Sequence, residues 1–499
     1  MLASYLEAAQ QGAEDQTFIV HAGDHVGASP ASSALLQDEP AISFLNMLGN
    51  EHCSFKRRMN PRCNLVGTLG NHEFDEGQSE MLRLIFGGNH ATGPFLEDPY
   101  RGANFPYVSA NVVDSATGRP ILPPYIIKKV RGVRIAFIGA VLKDTPSIVT
   151  PTGVAGLTFL DEADAINRYI PELRARHVKS IVVLIHQGGR QTSYSGATQS
   201  DAAPVNGEIA DIISRLDDEV DVVISGHTHS FTNALLKNKH GKEILVTQAF
   251  SAGTAFADIN LEIDPASRDI VTKSASIITT YADAGPGLTP DPIVAQMVTQ
   301  AEEKVAPLVN QIIGVASADI SRSQNSAGES ALGNLIADAQ RAALQTDFAF
   351  MNPGGIRADL TAGNVTWGEL FAIQPFGNSL VKMTLSGQQI YDLLNQQWQG
   401  QTSARLLQVS GLAYTWDALR AVGDRVVAVR KSGAPIDRAA QYTVSVNSFI
   451  AAGGDNFTVL TQGANRAGGP LDLDALINYV RGLIQPFNAG VEGRIQRLN

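Results

Sequence analysis

LVGTLGNHEFDEG, residues 65–77, opens as a β-branched apolar run and then delivers Asn71, His72, Glu73 and Asp75 in quick succession. A run of this length reads as a buried strand, and the abrupt change to polar residues marks its end. Three other stretches share the form: FIVHAGDHVG at 18–27, IVVLIHQGG at 181–189 and VVISGHTHS at 222–230. In α/β sheets, sites collect beyond the carboxyl ends of strands, on loops held by a rigid scaffold. Four strands that each end in imidazole, carboxylate or amide groups predict one shared site.

Outward from these stretches, strands alternate with helical patterns. TFIV at 17–20, NLVGT at 64–68, VRIAFIGAV at 133–141, SIVVLI at 180–185 and DVVIS at 221–225 read as strands. DEADAINRYIPELRARH at 161–177 and NGEIADIISRLDDEV at 206–220 read as helices between them. This alternation predicts an α/β fold with helix-covered sheets. GPGLTPDP at 285–292 is rich in Gly and Pro and marks a boundary. The expected domains are 1–285, a linker helix over 286–313, read from PIVAQMVTQAEEKVAPLVNQII at 292–313, and a second α/β unit over 314–499. The second unit has strands such as DFAFM at 347–351 and YTVSV at 442–446, and a helix ALGNLIADAQRAAL at 331–344.

The chain has 499 residues and a formal net charge of -11. Such a length calls for two or three domains. The acidic balance argues against nucleic-acid polymers and anionic membranes as partners, though not against small anions met by a metal or a local arginine cluster. No apolar run approaches the ~18–20 residues of a membrane span. Met1–Gln11 reads as an amphipathic helix and carries no signal-peptide pattern. Cys53 and Cys63 share one polar loop; two free thiols and a loop-closing disulfide both suit them.

The residue types at the four strand ends suit a two-metal hydrolase. Asp24 is a hard carboxylate able to bridge cations, Asn71 offers a neutral oxygen, and His186, His227 and His229 offer imidazole nitrogens. Two divalent ions can clamp a phosphate and activate a bound water. Taken singly, each motif is weak. A His-x-His is more often a packed pair, GNHEFD also suits a helix cap, and a lone His186 suits a satisfied core histidine. Their joint order carries the reading.

The set resembles the calcineurin-like metallophosphoesterases, and within them the bacterial 5'-nucleotidase family. The resemblance implies an N-terminal β-sandwich flanked by helices, a linker helix and a C-terminal substrate-specificity domain. It implies two divalent ions, Zn, Mn, Co or Mg. Asp24 would bridge them, Asn71, His186 and His227 would complete one site, and His229 would belong to the other. His72 would be the catalytic histidine and Asp75 its orienting carboxylate. In the C-terminal half, ESALGNLIADA at 329–339, MNPGGIR at 351–357, QPFGN at 374–378 and SFIAAGGDNF at 448–457 carry the same resemblance. It implies that Phe376 and Phe449 sandwich a nucleobase, Asp455 bonds ribose, Asn352 touches base or sugar, and Arg357, with Arg322 as companion, meets phosphate. The implied activity is hydrolysis of nucleoside 5'-monophosphates in an extracytoplasmic compartment. Cyclic-nucleotide phosphodiesterase, nucleotide-sugar diphosphatase and hydrolysis of sulfur-linked esters are rivals within the class. A nucleotide-binding protein impaired in catalysis is the rival outside it.

One departure stands out. The family's first metal motif, an Asp-x-His, has no counterpart in the 23 residues before Asp24. The expectation is that Met1 is not the natural start, and that an in-frame upstream segment supplies a signal peptide and the Asp-x-His. As written, the second ion would have only Asp24 and His229. His21 and His25 read as local residues. EHCSFKRRMNPRC at 51–63 is longer than expected between its flanking motifs.

Overall fold

The computed structural model describes residues 1–192, 197–198, 205–282 and 289–499. The chain forms two compact units. The first gathers Met1–Gly27, Leu36–Pro146 and Thr152–Ala301; the second gathers Ala28–Leu35, Ser147–Pro151 and Glu302–Asn499.

In the first unit, Ile19–His21, Leu65–Thr68 and Tyr107–Val108 form a parallel three-stranded sheet in that order. A six-stranded sheet follows the order Phe231–Lys237, Glu243–Ala249, Val220–Ser225, Ser180–His186, Val133–Val141, Tyr125–Val130. Its inner strands are parallel and each edge is closed by an antiparallel hairpin. The apolar run at 180–186 is continuous because both of its faces are covered. Val182 and Leu184 join Val66, Val108 and Phe137 between the two sheets. Ile181, Val183 and Ile185 meet Ile166, Ile170, Ile209 and Ile213 of the covering helices. The period of two along the strand thus feeds two cores, and the result is a β-sandwich flanked by helices.

Lys128, on the strand Tyr125–Val130, is wholly buried. Its ammonium donates to the Asn60 carbonyl at 3.3 Å, inside the loop that the Cys53–Cys63 disulfide closes. Burial pushes its pKa down to about 7. Between that value and the ordinary lysine range, the unfolded chain keeps a proton that the folded chain has released. Stability therefore rises with pH across that window, and the full cost is present below it. Lys128→Met is expected to raise the thermal midpoint by several degrees, and by more at pH 6 than at pH 9. Equal or lower midpoints at both pH values would show that the buried ammonium carries no such cost.

In the second unit a five-stranded sheet runs Gln408–Ser410, Phe348–Met351, Gln441–Asn447, Ser379–Ser386, Ala464–Leu471. The helix Ala331–Leu344 starts at Ser330, whose hydroxyl accepts from Gly333 N at 3.1 Å. Phe348–Met351 and Gln441–Asn447 are parallel neighbours, so the segments that follow them, with Asn352 and the short helix Ser448–Ala451 that bears Phe449, leave the same end of the sheet.

Two expectations need correction. The helix expected over 206–220 covers only Glu208–Arg215. Asn167 ends it: its amide nitrogen donates to Arg215 O at 2.8 Å and its carbonyl accepts from Asp217 N at 2.9 Å. The helix of the 286–313 linker runs Pro292–Val309, and Ile312–Ala316 is already a strand, paired with Gly363–Thr366. The division between the two units falls inside that helix. Residues 285–288 of the expected boundary lie outside the described residues.

Candidate active site

All seven of the N-terminal site residues lie in the first unit: His186 is the last residue of its strand, and the others lie in segments that follow strand ends. Asp24 Oδ2 lies 2.8 Å from His186 Nε2. His227 Nδ1 lies 3.1 Å from Asn71 Oδ1, and the His186 and His227 rings are 5.3 Å apart. Donor atoms of Asp24, His186 and His227 all fall within 4.8 Å of one another. His229 is exposed and outside that three-residue cluster, though its charge is felt at His227.

The donors fit a divalent cation. His186 Nδ1 donates to the Ala22 carbonyl at 2.7 Å, so in the neutral ring Nε2 bears the lone pair. That atom is buried and makes no aligned hydrogen bond, yet it faces a carboxylate oxygen at contact distance. Two lone pairs aimed at one point call for a cation between them. Burial opposes a charge on either group. Even so, the Asp24 charge lifts the proton affinity of His186, and the His186 and His72 charges hold Asp24 well below the carboxylate range. A metal ion would take that proton's place. His227, lowered to about 4 by burial and by His186, is the neutral imidazole that a metal needs.

His72 and Asp75 form the expected pair. His72 Nδ1 lies 2.7 Å from Asp75 Oδ2, both side chains being mostly buried. The backbone N–H of His72 donates to Asp24 Oδ1 at 2.8 Å, which ties the pair to the donor cluster. Gly27 packs against it so closely that a Cβ there would lie 2.8 Å from both Asp75 Oδ2 and His72 Cβ. Asn71 is buried and makes no side-chain helix cap. His21 and His25 have local neighbours, although His21 Nε2 is buried without a hydrogen-bond partner. His21 lies against Phe105 and Tyr107, and His25 Nε2 bonds the Ala41 carbonyl at 3.0 Å.

Sequence reading missed Glu73. Its carboxylate is buried and accepts the backbone N–H groups of Asp24 and His25, each at 3.0 Å, and that of Gly70. It clamps the first two strand-end loops together. Burial and the Asp24 charge push its pKa up to about 7. Three site residues also hold left-handed backbone: Asp24 at φ 52°, His227 at 74° and His229 at 51°.

In the second unit the substrate-side residues fall into two groups, Asn352, Phe449 and Asp455 in one and Arg322, Arg357 and Phe376 in the other. Asn352 Nδ2 donates to Asp455 Oδ2 at 2.8 Å, and Asn447 Nδ2 donates to Asn352 Oδ1 at 2.8 Å. Phe449 lies on Gly454, where a Cβ would come within 2.4 Å of the ring. Phe376 and Phe449 are both half-buried, and the Arg357 guanidinium lies 5.8 Å from the Phe376 ring centre. Arg322 Nη1 donates to the Ile356 carbonyl at 3.0 Å, beside Arg357 in the chain. Sequence reading also missed Arg405, which is ion-paired with Asp455.

Residues 2–231 match the calcineurin-like phosphoesterase family, and residues 310–462 match the 5'-nucleotidase C-terminal domain. Endonuclease YhcR of Bacillus subtilis is 37% identical over 99% of this chain and 38% of its own length. Cell wall protein Lmo0130 of Listeria monocytogenes is 35% identical over 96% of this chain and 62% of its own length. The chain thus spans less than two thirds of either relative. The crystal structure of a 5'-nucleotidase precursor from Thermus thermophilus superposes with a TM-score of 0.79 at 29% identity, covering 100% of this chain and 93% of that one. The chain belongs to the family in which a calcineurin-like phosphoesterase domain is joined to a 5'-nucleotidase C-terminal domain.

Proposed function

We propose that the protein hydrolyses nucleoside 5'-monophosphates to nucleoside and phosphate. The observation that carries this is the donor cluster Asp24–His186–His227, with the His72–Asp75 pair bonded to it. Asp24, Asn71, His186 and His227 would hold one divalent ion, and Asp24 with His229 would contribute to a second. Bound metal supplies Lewis-acid polarisation of the phosphate and a water of lowered pKa. The chain's own part is to position and to move a proton. Asp75 fixes Nδ1 of His72, which leaves Nε2 to face the phosphate and stabilise charge at the leaving oxygen. Phe376 and Phe449 would hold the base, Asn352 and Asp455 the sugar, and Arg357 with Arg322 the phosphate. The disulfide supports an oxidising, extracytoplasmic setting.

A substrate panel tests the reading. The manganese-loaded chain is expected to release phosphate from AMP faster than from 2',3'-cyclic AMP or a nucleotide sugar. The similarity to a protein named an endonuclease supports a second reading, phosphodiester cleavage, which faster turnover of the cyclic substrate would favour. Replacing both Phe376 and Phe449 with Ala is expected to cut kcat/KM for AMP about 10- to 100-fold, at roughly 1–3 kcal/mol per stacked base. An aryl phosphate should be nearly unaffected. Equal losses on the two substrates would make the phenylalanines structural.

A further inference from the structure

His227 and His229 share one short, strained turn with Thr228 between them. The N–H of Thr228 donates to the Gly226 carbonyl at 2.9 Å. With His227 at φ 74°, this closes a γ-turn of the rare, strained kind. His229 follows at φ 51°. Two left-handed residues in three, neither of them glycine, persist only where surrounding structure holds them.

Gln248 is the group that reaches them. It lies on the strand Glu243–Ala249 and is only 2% exposed. Its Nε2 donates to Thr228 Oγ1 at 2.7 Å and to the Ser230 carbonyl at 2.9 Å. Those two residues flank His229 on either side. The Thr228 hydroxyl in turn donates to the Gly189 carbonyl at 2.9 Å. The hydrogens suffice: two on the amide serve Thr228 and Ser230, and the one on the hydroxyl serves Gly189. Gly189 stands three residues beyond His186. One buried amide thus couples the turn that bears His227 and His229 to the segment that follows His186. The fit is close, since Gly188 has no room for a Cβ, which would meet the Gly226 carbonyl and the Gln248 amide oxygen. We propose that Gln248 is a positioning residue for the cation site: through Thr228 and Ser230 it fixes the backbone from which the His227 and His229 rings project. The proposal rests on the reading of Asp24, Asn71, His186 and His227 as ligands.

The test reads metal and needs no catalysis. Mn2+ is titrated calorimetrically into the metal-stripped full chain, as wild type, Gln248→Met, Thr228→Val, Thr228→Ser and the double variant Gln248→Met with Thr228→Val. Methionine fills much the same space without a donor. Affinity is expected to fall about 10- to 100-fold in Gln248→Met and in Thr228→Val, the range for groups that orient ligands. Thr228→Ser keeps the hydroxyl and should stay within about threefold of the wild type. The double variant should lose little beyond the worse single one, because both break the same chain of bonds. Val246→Ala is the control for stability alone. It opens a cavity in the core on the same strand, and should lower the denaturation midpoint in EDTA while metal affinity holds. Unchanged affinity in both Gln248→Met and Thr228→Val, or an equal loss in Val246→Ala, overturns the positioning role. A wild type that takes up no divalent ion overturns the cation reading instead.

Discussion

His72→Ala is expected to lower kcat on AMP by about 10²- to 10⁴-fold, the range for a positioned acid–base group, while metal content stays near that of the wild type. The reason is geometric. His72 touches the donor cluster through its backbone N–H, which Ala keeps, and its ring is given over to Asp75. Asp75→Asn should cost less, since the ring stays and loses only its carboxylate partner. Turnover and metal content by mass spectrometry check both. If His72→Ala loses metal in proportion to activity, the ring is a ligand and the assigned role fails.

Glu73→Ala is expected to be the most destabilising single change at the site. It strands the backbone N–H groups of Asp24, His25 and Gly70. At roughly 1–3 kcal/mol for each buried donor left unpaired, the loss is on the order of 3 kcal/mol or more. Metal affinity should fall as well, by about 10- to 100-fold, as for other groups that orient ligands. Asp24→Ala makes the contrast: it should lose the metal and lower the denaturation midpoint in EDTA by less than Glu73→Ala does, because it strands one backbone N–H, that of His72, and Glu73→Ala strands three. Equal midpoints for Glu73→Ala and wild type in EDTA would remove Glu73 from the framework of the site.

The contrast between His72 and Glu73 marks how far sequence carries. Strand ends are legible because period, β-branching and the sudden polar turn are all local. His72 and Asp75 are three residues apart, so their pairing was also within reach. Glu73 stands between them, but its partners Asp24 and His25 lie 49 and 48 positions upstream. Nothing nearby announces that a glutamate in a motif full of acids has turned inward to backbone. Arg405 is similar: it sits 50 positions before Asp455, in a polar loop without any motif. The early end of the helix Glu208–Arg215 was hidden for the same reason, since its cap, Asn167, belongs to another helix. Local chemistry was readable; clamps and caps that arrive from elsewhere in the chain were not.

The left-handed backbone at Asp24, His227 and His229 sets the site against its own scaffold. Each such residue costs on the order of 1–3 kcal/mol relative to an unstrained one, and glycine would relieve it. Selection for thermal endurance alone would therefore favour glycine at these positions, and would erase the proposed cation ligands while leaving the sandwich intact. Only continued demand for the chemistry keeps side chains there. A heat-hardened descendant of this protein, evolved without an activity screen, would lose its metal before it lost its fold.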